Sequence, residues 1–98
     1  MEVNITKGDK TTVKLIGRLD TTAVADFDSE IAEVISGKNN VVFDCEELEY
    51  ISSSGLRSIL NAYKQLKAAG GTLELCNLQP AVKSVFNLTG FTVMLKIL

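Results

Sequence analysis

A chain of 98 residues with 46% hydrophobic content can form one core but not two, so we expect one domain over residues 1–98. The formal net charge is -2 and the ten Lys and Arg residues form no basic run, which argues against nucleic acid as a partner. No apolar run approaches the ~20 residues of a membrane span, and no signal-peptide pattern is visible, so we expect a cytoplasmic protein without membrane contact.

The chain begins with two alternating segments. Apolar and polar residues alternate in residues 2–7 and 11–16, and a Gly-Asp-Lys turn separates the segments, which predicts an antiparallel hairpin. The alternation stops after Ile16, and Thr21 or Thr22 is predicted to cap a helix. Apolar residues then recur at helical spacing as far as Ile35, opposite acidic ones, which predicts a surface helix with one buried stripe.

The middle of the chain is predicted to contain a central strand and a second helix. Residues 41–43 are consecutively apolar, as in a strand covered on both faces. Residues 44–50 are polar and acidic and are predicted to form a connection. From Leu56 the apolar spacing is helical, and the helix is predicted to close at Gly70 or Gly71, because glycine readily takes the left-handed conformation.

The last third adds a strand, a short helix and a strand. Residues 72–76 alternate and predict a strand. Pro80 suits the first turn of a helix that ends at Gly90, and residues 93–97 predict the last strand.

This order of elements predicts an α/β fold with a mixed sheet of about five strands. Strands separated by single helices require right-handed crossovers and a mostly parallel sheet, to which the N-terminal hairpin adds an antiparallel edge. Alternation in the outer strands indicates one packed and one partly wet sheet face. We therefore expect the helices mainly on one face, unlike a doubly wound nucleotide-binding fold.

Several kinds of chemistry lack the residues they need. The chain has no histidine, which removes the commonest general base and nitrogen metal ligand, and it has no phosphate-binding loop. The acidic residues between positions 44 and 49 lack calcium-loop spacing and are interpreted as a solvated turn. No catalytic residue, metal or cofactor is predicted. Cys45 and Cys76 are interpreted as buried reduced thiols, with a disulfide or a reactive thiol as the alternative.

Three serines, Ser52, Ser53 and Ser54, stand before the second helix. A hydroxyl at the start of a helix satisfies a free backbone N–H, so capping explains one of them, and Ser54 is the predicted cap. Three exceed that need, and the alternative is a hydroxyl presented for phosphorylation. Gly55 is interpreted as keeping the approach to the hydroxyls open.

Asp20 and Asp44 both follow strand-like runs. They could lie near the serines at the ends of neighbouring strands, where they would either brace loops or take part in a switch.

The stretches Val42-Phe43-Asp44 and Leu48-Glu49-Tyr50-Ile51-Ser52-Ser53-Ser54-Gly55-Leu56 resemble the signature of the bacterial anti-sigma factor antagonists. These proteins are the stand-alone form of the STAS domain that is shared with sulphate transporters. Residues 17–20, 77–82 and 86–90 match other recurring stretches, so the resemblance covers essentially the whole chain. It implies a mixed sheet with helices chiefly on one side, and a cytosolic, non-enzymatic protein that acts by binding.

The resemblance also implies a mechanism. An unphosphorylated antagonist captures a serine kinase that doubles as an anti-sigma factor, which frees the sigma factor and so regulates transcription indirectly. Phosphorylation by the kinase ends the capture, and a serine phosphatase resets the antagonist. The implied phosphoacceptor is Ser53, with Ser52 and Ser54 as alternatives. The residues predicted to bind the partner are Asp20, Asp44, Ser52, Ser53, Ser54, Gly55 and Leu56.

This chain departs from the family at two places. Ser52 stands where the family usually has Asp, which leaves as the alternative a STAS interaction module of a signalling or transport assembly that is never phosphorylated. A small enzyme or nucleotide-binding domain is the third hypothesis, which the absence of histidine disfavours. In relatives another helix usually follows the last strand, whereas this chain stops at Leu98. Val93, Leu95 and Ile97 are then expected to be less covered than in relatives, which favours self-association, so we expect a monomer or a weak homodimer.

Overall fold

The computed structural model describes residues 1–91 and 95–98 and shows a mixed sheet with helices on one face. The elements are β1 (Glu2–Thr6), β2 (Thr11–Leu19), α1 (Val24–Ile35), β3 (Asn40–Ile51), α2 (Ser53–Ala68), β4 (Thr72–Cys76), α3 (Pro80–Thr89) and β5 (Lys96–Ile97). The strand order is β1-β2-β3-β4-β5, with β1 antiparallel to β2 and the other pairs parallel. The predicted fold class is confirmed. Val93, the predicted start of the last strand, lies outside the described residues.

One face of the sheet carries the core. Alternate residues of the three middle strands are buried on this face, among them Val13, Phe43 and Leu75. They pack with the buried stripes of all three helices, and the rings of Phe27 and Phe43 meet edge to face, with centroids 6.0 Å apart. The opposite face carries polar side chains such as Lys14, Asp44, Glu74 and Lys96, so the helices are packed on one side, as predicted.

Strand β3 is much longer than predicted. It runs from Asn40 to Ile51, so the prediction of an acidic connection over residues 44–50 is wrong. The pairing with β2 shifts twice along this stretch, and at each shift β3 contains one more residue than its neighbour. Such bulges break the two-residue alternation, and the buried positions Cys45, Leu48 and Ile51 are therefore three residues apart. The prediction also ended β2 at Ile16, because the alternation stops there, whereas the strand continues to Leu19.

The helix ends agree only partly with the predictions. Gly70 has φ of 84°, which confirms the left-handed stop after α2, and α3 ends at Gly90 as predicted, where φ is 76°. The predicted cap of α1 by Thr21 or Thr22 is wrong, because Ala23 occupies the N-cap position without a side-chain bond. The Asp20 carboxylate instead accepts the N–H groups of Thr22 and Ala23, which braces the turn before the helix.

The two cysteines occupy different environments. Both are unpaired thiols; Cys45 is fully buried, and Cys76 is partly exposed, so only the first matches the predicted burial. Desolvation raises the pKa of the Cys45 thiol to about 12.

Over the described ranges, no helix combines the length and the apolar character that crossing a bilayer requires. In the same ranges no group of His, Cys, Asp and Glu side chains is arranged to hold a metal ion.

Candidate functional site

The site forms where two connections meet at one edge of the sheet. β2 and β3 are parallel neighbours, so the turn that follows Leu19 and the residues that follow Ile51 emerge side by side. The N–H of Ser52 donates to the carbonyl oxygen of Leu19 at 2.9 Å, and the Ser52 hydroxyl lies 3.3 Å from the same oxygen. These bonds fix the start of α2 to the end of β2.

Ser52 is the N-cap of α2. Its backbone is extended, and its Oγ accepts a hydrogen bond from the N–H of Gly55 at 3.1 Å. The prediction that Ser54 is the cap is therefore wrong. The apolar periodicity begins at Leu56, the first large side chain of α2 to enter the core, whereas the first helical residue is Ser53.

The hydroxyls of Ser52 and Ser54 belong to a short hydrogen-bonded chain. Ser54 Oγ lies 2.9 Å from Ser52 Oγ and 3.2 Å from Thr21 Oγ1, which brings the turn before α1 into the site. Both serines are half-buried. Ser53 is exposed, and its hydroxyl makes no hydrogen bond with any residue that the structure describes. The three consecutive serines therefore differ: two hydroxyls are engaged and the middle one faces solvent.

Gly55 is required by close packing. A Cβ at this position would lie 2.6 Å from the carbonyl oxygen of Leu19 and 2.9 Å from Cγ1 of Ile51. Real Cβ atoms do not approach other atoms so closely, so the helix can sit this near the two strands only with glycine here. The interpretation that Gly55 keeps the hydroxyls accessible is wrong, because the residue is buried and faces the strands. Leu56 is also buried, at 2% exposure.

Asp20 lies in the chain between Leu19 and Thr21, which both bond to the serines, and it holds its own turn together. Its Oδ1 accepts hydrogen bonds from the Thr22 hydroxyl at 2.7 Å and from the N–H groups of Thr22 and Ala23 at 3.1 Å. The bond from the Thr22 hydroxyl is the main cause that lowers the pKa of Asp20. Arg18 Nε is 4.0 Å from Oδ2. Of the two roles predicted for Asp20, these bonds show loop bracing, and its part in a switch stays a prediction.

Asp44 is not near the serines. It lies within β3, where its Oδ1 accepts from the N–H of Glu46 and from Nδ2 of Asn77, both at 3.1 Å. An extended strand rises about 3.3 Å per residue, so the eight steps to Ser52 place the two roughly 20 Å or more apart. The expectation that both aspartates meet the serines fails for Asp44, because β3 continues past it.

The sequence did not indicate two features of this edge. The sequence predicts Thr21 only as a helix cap, yet its hydroxyl contacts Ser54. The signal for this contact is that the ends of parallel neighbouring strands meet at one sheet edge. Arg18 stacks on Tyr50, with the guanidinium carbon 4.2 Å from the ring centroid. Arg18 lies opposite Tyr50 because of the second bulge, and the sequence does not indicate that bulge.

Comparison with known proteins connects this geometry to a family. The family model of the STAS domain matches residues 1–97. The chain is 41% identical over 78 residues to BtrV of Bordetella bronchiseptica, covering 79% of this chain and 67% of that protein. It is 30% identical over 80 residues to an anti-sigma F factor antagonist of Lysinibacillus sphaericus, covering 80% and 68% of the two chains.

Solved structures agree on the fold. The structure of the anti-sigma factor antagonist SpoIIAA in its unphosphorylated form superposes with a TM-score of 0.80 at 23% identity, covering 99% of this chain and 88% of that one. The phosphorylated form of SpoIIAA from Bacillus gives a TM-score of 0.71 at 22% identity, covering 99% and 89%. The chain therefore belongs to the STAS domain family, among the anti-sigma factor antagonists.

Proposed function

We propose that this chain is a cytoplasmic, non-enzymatic anti-sigma factor antagonist that is switched by phosphorylation at Ser53. Unphosphorylated, it binds an anti-sigma factor that is a serine kinase and so frees a sigma factor. Phosphorylation of Ser53 releases the kinase, and a serine phosphatase restores the binding form. The names of its relatives support the antagonist role, and the structure of SpoIIAA in a phosphorylated form supports modification by phosphate.

The exposed, unengaged hydroxyl of Ser53 carries this proposal. In phosphoryl transfer from ATP, Ser53 Oγ would bond to the γ-phosphorus, ADP would leave, and the hydroxyl proton would pass to a base of the kinase. Ser52 and Ser54 are less suited to this attack, since their hydroxyls already hold each other and Thr21. The serine run thus offers a kinase one free acceptor.

Serine in place of the family's aspartate at position 52 is compatible with the switch. Ser and Asp are comparable N-caps, and Ser52 caps α2 here through Gly55 N–H. The start of the helix, which presents Ser53, therefore has the support that a carboxylate would also give.

The phosphate would act at the interface and leave the fold intact. It adds about −1.5 to −2 charge at the N-terminus of α2, where the helix dipole favours an anion. The partner surface that had packed against Ser53 and Asp20 would meet a bulky anion beside an existing carboxylate, which opposes binding. Gly55 and Leu56 are buried, so in this proposal they contribute by holding α2 in place. Asp44 would contact the partner only if the interface extends along β3.

A kinase assay tests the proposal. The purified chain is incubated with an anti-sigma factor serine kinase and ATP, and modified sites are mapped by mass spectrometry; we expect phosphate on Ser53 and none in Ser53→Ala. Binding of the chain to the kinase is measured by calorimetry in the presence of ADP. Ser53→Asp should bind the kinase more weakly than wild type. Ser84→Asp is a matched control, because it adds the same charge at an exposed position of α3.

Two results would contradict the switch. One is the absence of phosphate on residues 52–54, and the other is unchanged kinase binding by Ser53→Asp. Either would favour the alternative, a STAS interaction module of another signalling or transport assembly that is never phosphorylated.

A further inference from the structure

Arg57 lies one helical turn after Ser53 on the exposed face of α2. Both side chains are exposed, and both belong to the same continuous helix. Residues four apart on a helix are surface neighbours, with Cβ atoms about 5–6 Å apart. Arg57 is thus the cation nearest to Ser53 along this helix.

The helix also sets the direction of the arginine side chain. Cα–Cβ bonds tilt toward the helix N-terminus, and long side chains extend over the preceding turn. The patch that Arg57 covers is therefore the one occupied by Ser53 and Ser54. The Ser54 hydroxyl is held by Ser52 and Thr21, whereas the Ser53 hydroxyl makes no hydrogen bond with the described residues. Ser53 is therefore the serine of this patch that can take up a new partner.

Arg57 has no anionic partner among the described residues. It forms none of the ion pairs found there, which join Lys10, Lys14, Arg18 and Lys96 to carboxylates. Its neighbours at the three- and four-residue spacings on α2 are Ser53, Ser54, Leu60 and Asn61, none of them acidic. The first turn of α2 contains no acidic residue either. The chain's other arginine, Arg18, is engaged with Tyr50 and Asp20.

We infer that Arg57 is the intramolecular partner of a phosphate on Ser53, forming a phosphoserine–arginine pair across one turn of α2. A guanidinium binds phosphate oxygens through two parallel N–H bonds, which holds the anion in one orientation. The paired phosphate would lie along the exposed face of α2 and meet the partner as a fixed group. This inference rests on the proposed modification of Ser53 and adds the residue that positions the phosphate.

The pair has a measurable consequence for the ionisation of the phosphate. A phosphoserine loses its second proton at a pKa of about 6, and a neighbouring cation favours the doubly charged form. For an exposed pair four residues apart, the pKa should fall by about 0.3 units relative to a chain without the arginine. At a pH near 6.5 more of the protein would then carry the full double charge.

The test uses protein with phosphoserine inserted at position 53 during translation, titrated by ³¹P NMR. We expect a lower phosphate pKa in the wild-type background than in Arg57→Gln, and an intermediate value or full rescue in Arg57→Lys. Lys64→Gln is the matched control, because it removes one positive charge from an exposed position of the same helix. With a rise of about 1.5 Å per residue, Lys64 lies roughly 16 Å from Ser53 along the helix axis, so Lys64→Gln should leave the phosphate pKa unchanged.

Equal pKa values in wild type and Arg57→Gln would overturn the inference, as would an equal rise in Lys64→Gln. The inserted phosphate makes this result independent of any kinase. Failure of the proposed function would instead appear as the absence of phosphate in the kinase assay, so the two failures are distinguishable.

Discussion

Replacing Gly55 with alanine tests the packing that positions the site. The added methyl group would lie 2.6 Å from the carbonyl oxygen of Leu19. That oxygen cannot move away easily, because it accepts the N–H of Ser52 at 2.9 Å and belongs to the last residue of β2. The other two close atoms, Cγ1 of Ile51 and Cγ of Leu19, belong to side chains that are buried in the core.

Two opposing effects set the magnitude. Alanine is favoured over glycine within a helix by up to about 1 kcal/mol. An overpacked site costs about 1–3 kcal/mol, and here the backbone must shift to relieve the contact, so the upper part of that range applies. We expect a net loss of about 1–2 kcal/mol in the free energy of unfolding. For a domain of this size each kcal/mol lowers the Tm by about 4–8 °C.

The assay is urea unfolding followed by circular dichroism, with thermal unfolding in parallel. Gly37→Ala is the matched control: its Cβ would have 3.7 Å to the nearest atom, and its backbone is not left-handed. This control should stay within about 0.5 kcal/mol of wild type. A Gly55→Ala protein as stable as wild type would refute the packing explanation and return Gly55 to a role in access to the hydroxyls.

Two further predictions concern single polar groups. Ser52→Ala removes the cap of α2 and should lower the free energy of urea unfolding by about 1 kcal/mol, whereas Ser52→Asp should retain most of it; equal losses in both variants would contradict the capping role. Hydrogen bonds from Lys10, and to a smaller extent from Lys96, lower the pKa of the Glu74 carboxyl below 4.5. The ionised Glu74 therefore stabilises the fold above pH 4.5, and this stabilisation is lost as the pH falls through the lowered pKa. Glu74→Gln should therefore reduce the Tm more at pH 7 than at pH 3, and a reduction that does not change with pH would show that the ion pairs do not stabilise the fold.

The sequence predicted those features that depend on regular periodicity. The N-terminal hairpin, the three helices and the one-sided packing follow from alternation and helical spacing, which the structure preserves wherever the elements are regular. The continuation of β3 from Asp44 to Ile51 could not be predicted in this way. Each bulge reverses the face to which the following side chains point, so the strand reads as an irregular acidic segment.

The candidate site was predicted in location but not in internal detail. The sequence indicates the serine run, yet the role of each serine depends on α2 beginning at Ser53, three residues before the first apolar position. The separation of Asp44 from the serines follows from the same misjudged strand. The spacing of Ser53 and Arg57 can be read from the sequence, but only the structure shows that Arg57 forms no ion pair with the described residues.

The order of the strands has a consequence for how the site is made in the cell. Because the spatial order of the strands is the same as their order in the chain, each strand pairs with the one synthesised just before it. All residues of the proposed switch, from Asp20 to Arg57, leave the ribosome before β4, α3 and β5. The turn carrying Asp20 and the cap of α2 can therefore form while the C-terminal third is still being translated. β4, α3 and β5 then complete the sheet and the core against which α2 packs.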